Sequence, residues 1–124
     1  MADTGHSWER SAQRALAEVQ QDPRRALAAG RTVAAQSGDR RARSIAERAA
    51  GLACRELNDL PAAREHLRRA VRIAQGCGAV DLAALARMSL GYVLAGSGRT
   101  AAALREVTAA LAGLDGVDAG RARM

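Results

Sequence analysis

Alanine constrains this chain more than any other feature: 31 of its 124 residues are Ala, against one Trp, one Tyr and no Phe. Ala is the strongest helix former, and the β-branched and aromatic residues that favour strands are scarce. A β-sandwich or barrel is excluded on those grounds. So is a core built from interlocking large side chains, because Ala brings one methyl where Leu or Phe brings ~1.5–3 kcal/mol of burial. The length fits one small domain that buries roughly two thirds of its unfolded surface.

Charge adds a second constraint. All 19 basic residues are Arg, and with 13 Asp and Glu the formal net charge is +6. A basic chain invites a nucleic-acid or membrane reading. Here the surplus is spread over a mixed surface, and exclusive use of Arg is what a GC-rich genome produces without selection for function. The segment from Met1 to His6 has no basic n-region followed by an apolar stretch, so no secretory signal is visible. No run approaches the apolar length of a membrane span, since Leu82 to Ala95 carries Arg87 in its middle. Cys54 and Cys77 fit neither a CxxC motif nor a disulfide framework, and a cytoplasmic protein is expected.

Apolar residues recur at helical spacing, and breakers divide them into six helical segments. The pattern predicts helices at about Ser7–Gln20, Pro23–Gln36, Arg40–Leu57, Pro61–Gln75, Leu82–Ala95 and Ala101–Ala112. Asp22, Asp39, Asp81 and Thr100 are the expected N-caps. Residues 113–124 read as a flexible tail or a truncated next helix. The short connections imply three antiparallel hairpins, at about 7–37, 39–76 and 79–112, in one domain over residues 1–112.

The hairpins repeat. Aligning Asp22-Pro23-Arg24-Arg25-Ala26, Asp59-Leu60-Pro61-Ala62-Ala63 and Arg99-Thr100-Ala101-Ala102-Ala103 gives offsets of 37 and then 40 residues. In that register Gly51 matches Gly91, Cys54 matches Leu94, Leu67 matches Val107 and Ala70 matches Ala110. Glycine inside a helix costs ~1 kcal/mol against Ala, so its recurrence at one site points to helices in close approach. Ala63 and Ala103 are the small residues expected to face the two glycines. The first hairpin fits less well, with Arg14 where Gly is wanted and Gly30 where a large apolar residue is wanted.

Leu90-Gly91-Tyr92-Val93-Leu94 followed by Ala103, Val107 and Ala110, and Ala50-Gly51-Leu52-Ala53-Cys54 followed by Ala63, Leu67 and Ala70, resemble the tetratricopeptide repeat. The spacings exceed the repeat's ~34 residues, so longer helices or loops are expected. The resemblance implies an all-α fold of three hairpins stacked as a short right-handed solenoid. It also implies a protein–protein interaction or scaffold role, with the first helix of each hairpin lining a concave groove. Arg-rich second helices such as Ala63-Arg64-Glu65-His66-Leu67-Arg68-Arg69-Ala70 also look like the repeats that precede caspase-like CHAT domains in bacteria, a protease system of which this chain would be a non-catalytic part. Similar repeats occur in bacterial transcriptional regulators, the nucleic-acid-associated alternative.

The groove stripes, each one helix face, are Trp8, Ser11, Ala15, Glu18; Ile45, Arg48, Leu52, Arg55; and Leu85, Met88, Tyr92, Ala95. From them Trp8, Arg48, Leu52, Arg55, Met88 and Tyr92 form the expected partner-binding surface for an extended peptide bearing a carboxylate. Leu52 and Tyr92 stand where the carboxylate clamp known in the repeat family would have Asn. Arg64, Arg68 and Arg72 form a basic ridge on the fourth helix, without the aromatics or the Asn and Gln that a nucleic-acid reader offers. Self-association, or docking on a downstream domain, is expected through an uncapped C-terminal end.

No chemistry of catalysis is legible. Cys54 belongs to an inward stripe and His66 is expected to face solvent, so no dyad is expected. His6, His66, Cys54 and Cys77 are too scattered for a zinc site. Gly76-Cys77-Gly78 and Gly96-Ser97-Gly98 follow no strand, and without Lys they make no phosphate loop. Neither enzymatic activity nor a cofactor or metal is expected.

Overall fold

A computed structural model describes the backbone of residues 4–122 and the side chains of residues 7–116. Six helices follow in order: α1 (Thr4–Glu18), α2 (Pro23–Gln36), α3 (Arg40–Glu56), α4 (Leu60–Gly76), α5 (Val80–Gly96) and α6 (Thr100–Ala122). The protein is all-α, its helices packed sequentially as antiparallel pairs. Each helix packs on the next; α1 also packs on α3, and α3 on α5. The backbones of the even helices do not come into contact with one another among the described residues. The odd helices therefore form a continuous layer, and the even helices sit side by side against it.

From α3 onward the spacing is regular. α3, α4 and α5 are each 17 residues long, and each is joined to the next helix by three residues. The three turns are built alike. Asn58, Gly78 and Gly98 have φ of 63°, 69° and 79°, the left-handed conformation that ends a helix. The following amides, of Asp59, Ala79 and Arg99, reach back to the carbonyls of Cys54, Ala74 and Leu94 at 2.8–2.9 Å. α2 has 14 residues, three fewer than α4, which explains an offset of 37 in one half of the chain and 40 in the other.

Asp22 and Asp39 cap α2 and α3 as the pattern predicts, accepting from the amides of Arg25 and Arg41. Asp59 does the same for α4. Asp81 is not a cap: α5 starts two residues earlier than expected, at Val80, and Asp81 pairs with Arg41 instead. The Arg41 guanidinium reaches Asp81 at 3.2 Å and Glu9 at 3.5 Å, joining α1, α3 and α5 at one end of the odd layer. The sixth helix does not stop at Ala112. α6 runs on to Ala122, because no proline or left-handed residue interrupts it.

The core is mostly methyl groups. Ala12, Ala26, Ala42, Ala46, Ala49, Ala50, Ala53, Ala63, Ala70, Ala74 and Ala86 are fully buried, and Leu67, Val93 and Cys54 are the largest side chains buried to a similar degree. So little volume between helices means that the backbones lie close. A Cβ built on Gly51 would stand 2.7 Å from Leu67 Cγ and 3.1 Å from the Ala63 carbonyl. On Gly91 it would meet Val107 at 3.0 Å and the Ala103 carbonyl at 3.3 Å. Gly30, the apparent misfit of the first hairpin, serves the same purpose between hairpins: a Cβ there would lie 2.9 Å from the Ala46 carbonyl on α3.

Two outcomes test this account. Gly51→Ala is expected to lower stability by ~1–3 kcal/mol despite its better helix propensity, because Leu67 is packed in and cannot yield. Gly113→Ala, whose Cβ meets only Val80 at 4.0 Å, is expected to raise stability by ~0.5–1 kcal/mol. Urea denaturation of both variants reads the difference, and equal effects would refute the close approach. The Arg41 guanidinium also holds the Asp81 carboxyl below its usual range. That contribution is present at neutral pH and is lost as pH falls through the lowered value. Asp81→Asn is expected to cost a few tenths to ~1 kcal/mol at neutral pH, both partners being largely exposed, with the gap closing as pH falls through the lowered value.

Candidate functional site

The groove stripes divide into an exposed part and a packed part. On α5, Leu85, Met88 and Tyr92 are exposed by 45%, 44% and 60%, an apolar row of one face. On α3, Ile45 is core, and Leu52 is half-buried against Ala15, Val19, Ala49 and Ala53, so both belong to the packing of α1 on α3. Ala15 of the α1 stripe is buried there too. Trp8 lines a separate cleft between α1 and α2, beside Ser11, Arg14 and Val33, and leans on the core near Ala12 and Ile45. The expected surface thus contracts to Arg48, Arg55, Met88 and Tyr92, on neighbouring α3 and α5.

The two arginines differ. The Arg55 guanidinium lies 4.1 Å from the centroid of the Tyr92 ring and 3.1 Å from Glu56. Glu56 also accepts from Gln20 at 2.9 Å. Arg55 is therefore balanced, and with Tyr92, Asn58 and Leu60 it lines a cleft of about 470 Å³ at the end of α3 and α5. Arg48 is half-buried, its Nε donating to Ser89 Oγ at 3.0 Å. No carboxylate among the described residues pairs with it. Burial lowers its pKa from the ordinary guanidinium value, and no nearby anion opposes that. Placing a cation where water is partly removed and no counter-charge is near is unfavourable unless a ligand supplies the anion.

The opposite side, between the even helices, holds a pair that the sequence pattern misses. His66 Nδ1 and Glu47 Oε1 are 2.7 Å apart, and both residues are buried. The expectation that His66 faces solvent is wrong. α4 is wedged between α3 and α5, so it buries two adjacent rows, Ala63, Leu67, Ala70 and Ala74 together with His66 and Val71. His66 and Glu47 line a cleft of about 490 Å³ between α2 and α4, with Arg31, Glu65 and Arg69 also on its walls. No hydrogen bond links Cys54 to His66. Burial raises the Cys54 thiol pKa, which keeps it protonated and poorly nucleophilic. Among the described residues no cluster of His, Cys, Asp and Glu could hold a metal ion, and the His6 side chain lies outside them.

On the basic ridge, Arg68 and Arg72 are exposed and Arg64 is half-buried. Arg68 and Arg72 line a cleft between α4 and α6 with Arg87 of α5, a residue the pattern treats only as an interruption of an apolar run. Neither described aromatic is on this ridge. α6 exposes Leu104, Leu111 and Leu114 by 62%, 53% and 41%. No described helix is long and apolar enough to cross a membrane.

Fold and site together define an all-α, six-helix domain with an apolar, cation-bearing face on its odd helices. No protein family, curated protein or solved structure matches the chain.

Proposed function

We propose that the chain is a protein–protein interaction module of tetratricopeptide type whose α3–α5 face takes an extended peptide with a carboxylate. The 40-residue two-helix period, the contact of odd helices with one another, and glycines at the closest approach all support the repeat reading. The observation that carries the binding reading is Arg48. It is half-buried and oriented by Ser89, without an acidic partner among the described residues, and it neighbours an exposed apolar row. A peptide carboxylate would complete the charge, and Met88 and Tyr92 would cover apolar side chains on either side of it.

Panning the protein against a library of peptides with free C-termini tests this. Enriched sequences are expected to lose at least tenfold in affinity, ~1.4 kcal/mol, on Arg48→Ala or on amidation of the peptide terminus. Arg64→Ala, on the other side, is expected to leave affinity unchanged. Enrichment that survives Arg48→Ala would sink the assignment of the site.

A second reading, self-association, is favoured by the three exposed leucines of α6. Light scattering at tens of micromolar is then expected to give twice the protomer mass, returning to one protomer with Leu111→Glu. A single-protomer mass for the unaltered protein would count against it.

A further inference from the structure

One pair of polar positions recurs in the repeat with opposite outcomes. Arg87 on α5 lies 40 residues beyond Glu47 on α3, and Glu106 on α6 lies 40 beyond His66 on α4. In the earlier hairpin the two side chains close on each other at 2.7 Å. In the later one no hydrogen bond or ion pair joins Arg87 to Glu106. Arg87 Nε is buried with no acceptor among the described residues. Native folds rarely strand a buried donor, and a charged one least of all, so the missing acceptor points to a bound group.

The surroundings specify its chemistry. Arg87 and Glu106 share a cleft of about 240 Å³ with Arg68 and Arg72, and Val71 and Leu90 supply apolar wall. Arg68 and Arg72 are one helical turn apart, and neither is in an ion pair among the described residues. Three guanidinium groups against one carboxylate leave two positive charges uncompensated. We propose that this cleft between α4 and α6 binds a dianionic oxyanion, a phosphoryl group in particular. Guanidinium forks match phosphoryl oxygens in pairs, and the partly dry wall strengthens the attraction. Arg64, the third arginine of the ridge, does not line the cleft. The site is separate from the peptide face and does not depend on it.

The test is thermal unfolding of the whole chain, titrated with inorganic phosphate at constant ionic strength and about pH 8, where the second phosphate proton is off. Acetate and chloride serve as controls. A saturable rise in melting temperature is expected with phosphate alone. Arg87→Met and Arg72→Met are expected to weaken binding at least tenfold, and Arg64→Met to leave it unchanged. Arg87→Met removes the stranded donor, so it is expected to fold. Glu106→Gln, which deletes the competing carboxylate, is expected to tighten binding several-fold. The proposal is overturned if phosphate gives no saturable shift, if acetate matches it, if Arg87→Met retains full binding, or if Glu106→Gln weakens it.

Discussion

The close approach of helix backbones at Gly30, Gly51 and Gly91 is the constraint on which the rest of the structure depends. A buried alanine contributes one methyl, ~0.8 kcal/mol of transfer, so a core made of alanines gains little per residue from burial alone. What it gains is proximity. Once the helices are near enough for a would-be Cβ to meet a carbonyl, backbone atoms add to the dispersion contacts that large side chains make elsewhere. The same proximity admits few polar groups between helices, and those it admits must be satisfied locally. Ser44 donates to the Ala70 carbonyl at 2.9 Å, and Glu47 meets His66.

Polar side chains then hold the odd layer at both ends. Arg41 ties α3 to Glu9 of α1 and Asp81 of α5 at one end. At the other, Gln20, Glu56, Arg55 and Tyr92 form a chain from the α1–α2 turn across α3 to α5. Arg48 lies between these ends on the same helix and has only a neutral hydroxyl for company. Its charge stands out because Arg41 and Arg55, at the two ends of that layer, have carboxylates.

Much of the helical frame was legible because breakers and caps are local signals. Pro23, Pro61 and the aspartates before them speak for themselves in sequence, as do the paired glycines of the later turns. Errors arose where tertiary packing overrides local pattern. Asp81 looks like a cap but is drawn to Arg41, a residue 40 positions away. His66 looks exposed because a two-helix picture gives α4 one buried row, whereas a helix between two neighbours buries two. Arg87 looks like a break in an apolar run; only its alignment with Glu47 marks it as a polar position of the repeat. Helical phase places Trp8 on the groove stripe, yet phase says nothing about which of two adjoining clefts a side chain enters.

The three like turns at residues 57–59, 77–79 and 97–99 make the later part of the chain a ruler with 20-residue divisions. Each division is closed by the same left-handed residue and the same backward hydrogen bond, so its length cannot drift by one residue without losing both. Positions 40 residues apart are thereby returned to corresponding places on corresponding helices. Evolution can vary such a position, from Glu47 to Arg87 or from His66 to Glu106, without disturbing the scaffold. Diversity of surface is thus separated from constancy of frame, and a chain poor in residue types can still present different chemistry at equivalent places along its length.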